Sequence, residues 1–373
     1  MKIGIDARLL SLPITGIGRY TLEICRSLST HSELKLFLYS PKCFNEDLEL
    51  ESAATKHLDR HCGAICHQLW TEFVLPKWMR EDGIDVFWAP TQRLPIISAR
   101  RIPSVITIHD LVWKYAGDTM RKYARPLSRY YISNGVKNAS IITTISNSTK
   151  QQIVKVYNTN DERVVVVPCG VDQKRQHGKR NLPEEFAIHK PYCLFVGTIE
   201  PRKNLQRLLV AFSKLPQSVR ENNLLVIAGG EGWGCVDLAS LITKLNLSSC
   251  VQYLGYVDDK ELASLYSQAE FLAMPSLYEG FGLPIIESMS YGTPVLTSNT
   301  SSMPEVGGDA ALYVNPLDIS SIKIGLERLF TDESLKRELS LKCTVNIRKY
   351  TWESSARRLA EVFRRAVRNP SEY

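Results

Sequence analysis

The sequence predicts two α/β units in tandem, each built on a parallel β-sheet. Three observations predict this. Short apolar runs that end in polar residues or turns recur along the chain, separated by helical patterns, as expected of strands buried on both faces. A polar, charged stretch without apolar periodicity, Asp172 to Pro191, divides those runs into two sets. At 373 residues the chain has the length of about two domains.

Composition narrows the class. Hydrophobic residues make up 44% and charged residues 23%, which excludes disorder over most of the chain. No run approaches the roughly 18 apolar residues of a membrane span. The opening MKIGIDARLL reaches Asp6 before any apolar run, which argues against a secretory signal and for a cytoplasmic location. Nine cysteines occur without a Cys-x-x-Cys pair, so free thiols in a reducing compartment are expected. HCGAICH, His61 to His67, lacks zinc-finger spacing and reads as surface loop plus core thiols; no metal site is expected. The net charge of +7 is uneven: residues 1–170 hold 22 basic against 16 acidic side chains, the rest 24 against 23. A basic first half favours an anionic partner, and without a nucleic-acid module that partner is not nucleic acid.

In the first unit a strand at Lys2–Asp6 leads into a loop, TGIGRY, and then a helix from about Arg19 to Leu28. Further strands are expected in Leu34–Ser40, Ile84–Pro90, Pro103–Asp110, Ser140–Ser146 and Arg163–Val171. The second unit repeats the rhythm with Tyr192–Thr198, Leu224–Gly230, Val251–Val257, Glu270–Ser276, Thr293–Ser298 and Ala311–Pro316. Asn204–Leu215 is its clearest helix, Asp258 or Asp259 is the N-cap of the helix KELASLYSQA, and YTWESSARRLAEVFRRAV closes the chain as an amphipathic helix. His and Asp at strand ends place the site at the carboxyl edge of the sheets.

The stretch Pro275–Ser298 carries the strongest chemical signal. Glu279 stands in a glycine-containing loop, Pro284 suits the first helical position, and Glu287 falls about one turn into the helix. The N–H groups of Phe281, Gly282 and Leu283 then face an anion site favoured by the helix dipole. A diphosphate there would have a carboxylate on each side, and each carboxylate can accept from a pair of sugar hydroxyls. In FVGTIEPRKNL a buried strand ends at Gly197, and Arg202 and Lys203 at the start of the next helix would neutralise that diphosphate. Gly16 and Gly18 in TGIGRY let backbone approach a phosphate or sugar, but Thr21 breaks the dinucleotide fingerprint, which disfavours a nicotinamide cofactor. GGEGWG, Gly229 to Gly234, is read as a turn. His109 ends a strand, where a structural role weighs against a catalytic one, with Asp110 placed to orient it. No Asp-x-Asp offers a cradle for a divalent metal. TEFVLPKWM, Thr71 to Met79, and RKYARPLSRYY, Arg121 to Tyr131, mix aromatic and basic residues, either as helices packed on their own domain or as a face for an anionic membrane.

With these motifs the chain resembles the retaining glycosyltransferases of family 4, of GT-B fold, over nearly its full length. YEGFGLPIIE, EPRKN and SMPEVGGDAALYVNP, Ser302 to Pro316, carry the resemblance. It implies two Rossmann-like domains facing across a cleft: an acceptor domain over residues 1–171, a linker at 172–190, a nucleotide-sugar domain over 191–350, and a closing helix at 351–373 that returns to the first. It implies that Arg202 and Lys203 hold the diphosphate, Glu279 the sugar hydroxyls and Glu287 the ribose. Phe281, Gly282 and Leu283 would offer backbone donors, with Gly16 closing over the donor and His109 near the sugar. No cofactor beyond the nucleotide-sugar substrate is implied, and no bound metal. HDLVWKY with GIGRY most resembles bacterial mannosyltransferases of O-antigen or capsule synthesis. That implies GDP-mannose, a glycan or lipid-linked acceptor and a peripheral place on the cytoplasmic face of the inner membrane. UDP-sugars stay open as donors. A nucleotide-sugar epimerase of the same fold is the first rival, disfavoured by the basic-aromatic first half. A non-catalytic subunit of a glycan-assembly complex is the second, disfavoured by the intact Arg202, Lys203, Glu279 and Glu287 set.

Overall fold

The structure is a computed structural model that describes residues 1–12, 14–44, 50, 53–58, 68–95, 102–172, 183–234 and 237–368. The His61–His67 segment and most of the predicted linker lie outside these residues. The chain divides into two units: Met1–Trp113 with Tyr123–Gly170 and Trp352–Tyr373, and Lys114–Lys122 with Val171–Thr351. The short piece Lys114–Lys122 thus groups with the second unit, although it lies in the first half of the sequence.

The first unit holds a parallel sheet of β1 (Lys2–Asp6), β2 (Lys35–Ser40), β3 (Ala54–His57), β4 (Val86–Ala89), β5 (Ser104–Ile108), β6 (Ile141–Thr144) and β7 (Val164–Val166). The strand order is 3-2-1-4-5-6-7, so the sheet grows outward in one direction from β1 and in the other from β4. β3 was not legible in the sequence: ATKH is an exposed edge strand with no apolar run to reveal it. Its helices include α1 (Gly16–Ser29), α2 (Leu75–Glu81), α3 (Ala124–Asn138) and α4 (Asn147–Tyr157).

The second unit repeats this plan. Its six parallel strands are β8 (Tyr192–Val196), β9 (Leu224–Ala228), β10 (Val251–Gly255), β11 (Phe271–Met274), β12 (Val295–Ser298) and β13 (Ala311–Val314), in the order 10-9-8-11-12-13. The helices used below are α5 (Leu205–Ser213), α6 (Asp259–Gln268), α7 (Leu283–Ser290) and α8 (Ile319–Thr331). Asp258 is the N-cap of α6, and its carboxylate and that of Glu261 form a reciprocal capping box. Phe195, Phe212, Leu208, Phe271 and Leu326 make the core where α5 and α8 cover one face of the sheet.

The last helix, α9 (Trp352–Arg368), belongs to the first unit. Phe363 is fully buried with its ring 6.1 Å from Trp88 of β4, and Trp352 lies edge-on to Tyr20 of α1. The Ser355 hydroxyl donates to the Pro168 carbonyl at 2.7 Å, which ties the helix beside β7.

Candidate active site

In an open doubly wound sheet, ligands bind beyond the carboxyl ends of the strands where the order reverses. In the second unit that point lies between β8 and β11. The segment after β8 carries Gly197, Glu200, Arg202 and Lys203, and the segment after β11 carries Tyr278, Glu279 and Gly282.

Arg202 and Lys203 do not open the next helix, as the spacing suggested. They sit in a separate 3-10 turn, Pro201–Lys203, and Asn204 then takes a left-handed φ of 62° before α5 begins. Asparagine tolerates that conformation better than other residues with a side chain. The buried Asn204 amide also donates to the carbonyls of Pro275 and Pro316, both at 2.8 Å, which pins the segments after β8, β11 and β13 together. The Leu277 N–H adds a bond to the Arg202 carbonyl at 2.8 Å.

The result is a compact ionic group. Arg202 donates to Glu279 at 2.6 Å, to the Tyr278 carbonyl at 2.9 Å and to Glu200. Lys203 donates to the other Glu279 oxygen at 2.8 Å. Burial alone would raise the Glu279 carboxyl pKa, but the charges of Arg202 and Lys203 outweigh it and hold the group down at about 2. The cations that the sequence offered to a diphosphate are therefore already matched by two carboxylates, and a phosphate must compete with Glu279 for them. The Glu279 carbonyl is fixed in turn by the hydroxyls of Ser301 and Ser302, and Ser302 also donates to the Phe281 carbonyl at 2.9 Å.

Gly282 is the N-cap of α7, with φ of 99° and a hypothetical Cβ only 2.9 Å from Ile285. Only glycine meets both conditions without strain. Pro284 therefore occupies the second helical position rather than the first. Among the described residues, no protein group accepts the N–H of Phe281, Gly282 or Leu283. The Phe281 side chain packs into the core against Tyr350, leaving its backbone as the polar contribution. Gly197, at φ 143°, leaves room for the Lys203 side chain, whose Cε would lie 3.3 Å from an added Cβ. Gly229 of GGEGWG lets two backbones touch: a Cβ there would stand 2.1 Å from the Gly197 carbonyl oxygen.

Glu287 has a partner outside this ionic group. It lies in the second turn of α7, where its carboxylate accepts from the Tyr266 hydroxyl of α6 at 2.9 Å. Glu200, Asn204, Ser301, Ser302 and Tyr266 are site residues that the sequence reading missed. An acid two residues before Arg202 was a usable signal for Glu200; the others act from distant segments.

In the first unit TGIGRY is not a loop. Helix α1 starts at Gly16, three residues before the predicted start, with Thr15 extended as its N-cap and the Arg19 N–H bonded to the Thr15 carbonyl at 2.7 Å. Glycine is cheap in a first turn, because the leading N–H groups of a helix lack partners in any case. Gly16 is exposed with open space where a side chain would stand, and Gly18 is buried. His109 follows β5 and is buried. Its Nε2 donates to the Pro90 carbonyl at 2.8 Å, and its ring lies edge-on to Tyr20 at 5.2 Å. A carbonyl only accepts, so Nε2 carries the proton. Burial pushes the His109 pKa down to about 4, against a smaller upward pull from the Pro90 bond, so the ring is neutral near pH 7. Asp110 does not orient that ring; its carboxylate accepts from the Val112 N–H.

Two parallel-sheet units of this strand order make the GT-B fold. Comparison with known proteins agrees. The family described as glycosyltransferase family 4 matches residues 14–175, and glycosyl transferases group 1 matches residues 173–350. O-antigen chain mannosyltransferase B of Escherichia coli is 30% identical over 95% of this chain and 97% of its own length. WaaG, a glycosyltransferase of lipopolysaccharide biosynthesis, superposes with a TM-score of 0.78 at 16% identity over 97% of this chain and 99% of its own. Anabaena HepE, solved with UDP and glucose, gives 0.76 at 17% identity, covering 97% and 99% of the two chains. The chain belongs to the family 4 glycosyltransferases, and it is a glycosyltransferase.

Proposed function

We propose that the protein transfers mannose from GDP-mannose, with retention at the anomeric carbon, to a lipid-linked or oligosaccharide acceptor in surface-polysaccharide synthesis. The observation that carries the reading is the group of Arg202, Lys203 and Glu279 at the strand reversal, next to the open N-terminus of α7. Breakage of the anomeric C–O bond puts negative charge on the departing diphosphate. Arg202, Lys203 and the N–H groups of Phe281, Gly282 and Leu283 would stabilise that charge without a metal. Glu279, released from its cations by the phosphate, would turn to the donor-sugar hydroxyls, and Glu287 would accept from the ribose. Gly16, exposed in open space, would let backbone come close to the donor, whereas Gly18 is buried in α1 and the space at Gly197 is taken by Lys203. His109 would stay neutral beside the sugar and act by hydrogen bonding. We favour attack on the face the leaving group departs from, with the donor phosphate taking the acceptor's proton.

Mannose and an O-antigen-type acceptor are supported by the name of the Escherichia coli relative, and a nucleotide-sugar donor by the UDP and glucose in HepE. No described helix is long and apolar enough to cross a membrane. A peripheral contact with the inner membrane from the cytoplasmic side is supported by Leu69, Phe73, Tyr123, Leu127 and Tyr130, all exposed, with Lys77, Arg121 and Lys122 nearby in sequence. Thermal-shift measurements with GDP, UDP, ADP and dTDP test the donor: a rise with GDP alone is expected. A rise with UDP alone overturns GDP-mannose, and no rise with any nucleotide overturns the donor site itself.

A further inference from the structure

The first sheet has the same reversal as the second, between β1 and β4, and it too is lined with charge. Asp6 ends β1, and Arg8 follows two residues later. Thr91 and Arg93 follow β4. The Asp6 carboxylate is fully buried and accepts from the Arg8 guanidinium at 2.8 Å and from the Thr91 hydroxyl at 2.6 Å. Arg8 also donates to Thr71 at 3.0 Å, and its guanidinium lies 4.9 Å from the centre of the Trp70 ring. Arg8 is thus neutralised and held.

Arg93 is placed differently. Its half-buried guanidinium lies 4.1 Å from the centre of the Tyr131 ring, and the Tyr131 hydroxyl is anchored on Gln68 at 2.8 Å. Among the described residues no carboxylate forms an ion pair with it; Arg8 is near enough to repel it, and Asp6 is near enough to attract it. One acid therefore serves two guanidinium groups, which leaves one positive charge in excess. The indole N–H of Trp70, the ring that Arg8 covers, is buried with no partner among the described residues, a second donor awaiting an acceptor. The composition selects the ligand class. A sugar ring would need free aromatic faces and spare carboxylates, but Arg8 covers Trp70, Arg93 covers Tyr131, and Asp6 is already occupied. A planar guanidinium with an unmatched charge suits a phosphate oxyanion.

We propose that this reversal point is a second anion site, centred on Arg93, that takes a phosphate or diphosphate ester carried by the acceptor. It rests on the glycosyl-transfer reading only for which substrate brings the phosphate. The site then positions the acceptor and is distinct from the Arg202 group that meets the donor.

Calorimetric titration of the full chain with inorganic pyrophosphate separates the two. Two sites are expected in the wild type. Arg93→Gln should weaken one at least about 10-fold, the loss of a charged hydrogen bond, and Arg202→Ala should weaken the other. Two unchanged sites in Arg93→Gln, or a single wild-type site that Arg202→Ala abolishes, overturn the inference and leave the donor reading standing. Sites unchanged in Arg202→Ala overturn the donor reading and leave this one. Arg93→Lys keeps the charge and should bind between the wild type and Arg93→Gln; melting curves confirm that each variant is folded. Displacement of pyrophosphate from the Arg93 site by farnesyl diphosphate but not by mannose 1-phosphate assigns a lipid-linked diphosphate. Displacement by mannose 1-phosphate assigns a soluble phosphate ester, and displacement by neither overturns the proposal.

Discussion

The two units share a strand order around the reversal but balance charge there in opposite ways. In the second unit Arg202 and Lys203 meet Glu279 and Glu200, so the ionic group is closed on itself. In the first, Asp6 answers Arg8 and leaves Arg93 against an aromatic ring. The topology supplies the same crevice twice, and the side chains just past the strand ends decide what each crevice holds. A self-neutralised group suits a ligand that must trade places with a carboxylate, whereas an unmatched cation suits one that adds to what is present.

The contrast can be broken by substitution. Arg202→Ala should have the largest effect: turnover lower by about 100- to 1,000-fold, as for loss of one donor to a developing oxyanion, with the fold intact by circular dichroism. Turnover within a few-fold of the wild type would remove Arg202 from the mechanism. His109 should mark the first unit through pH. Its pKa is about 4 in the folded chain against an ordinary 6.5, so the unfolded state binds the extra proton first. Its stabilising contribution is complete above pH 6.5 and lost as pH falls toward 4, at about 1.4 kcal/mol per pH unit. Urea melts of wild type and His109→Phe over that range check it; parallel pH slopes would show that the ring is not buried neutral.

Gly282→Ala puts a side chain at φ 99° and against Ile285, and should cost about 1–3 kcal/mol in urea denaturation. Gly16→Ala, in open space at the start of α1, should be near neutral for stability, and any loss of turnover would then report on ligand approach. One further substitution sharpens the comparison most. Glu279→Gln removes the competitor for Arg202 and Lys203, so the nucleoside diphosphate chosen by thermal shift should bind several-fold tighter while transfer slows. Unchanged or weaker binding would mean that Glu279 does not guard the cations.

Much of this protein was legible because parallel strands are buried on both faces and must be written as apolar runs. Each predicted run holds a strand, whereas the exposed edge strand Ala54–His57 left no such trace. Glu279 and Gly282 were legible because a left-handed helix cap and a following proline constrain residue type locally. The start of α1 was misplaced because glycine in a first turn looks like a loop.

The sequence by itself determined two parallel α/β units, their family, and which residues near the strand ends carry charge. Those follow from local pattern, since burial and turn geometry act over a few residues. Only the tertiary structure decided which charges meet. Glu279 reaches Arg202 across 77 positions and Thr91 reaches Asp6 across 85, and whether a cation is matched or left over depends on such long-range neighbours, through burial and distance that no local pattern encodes.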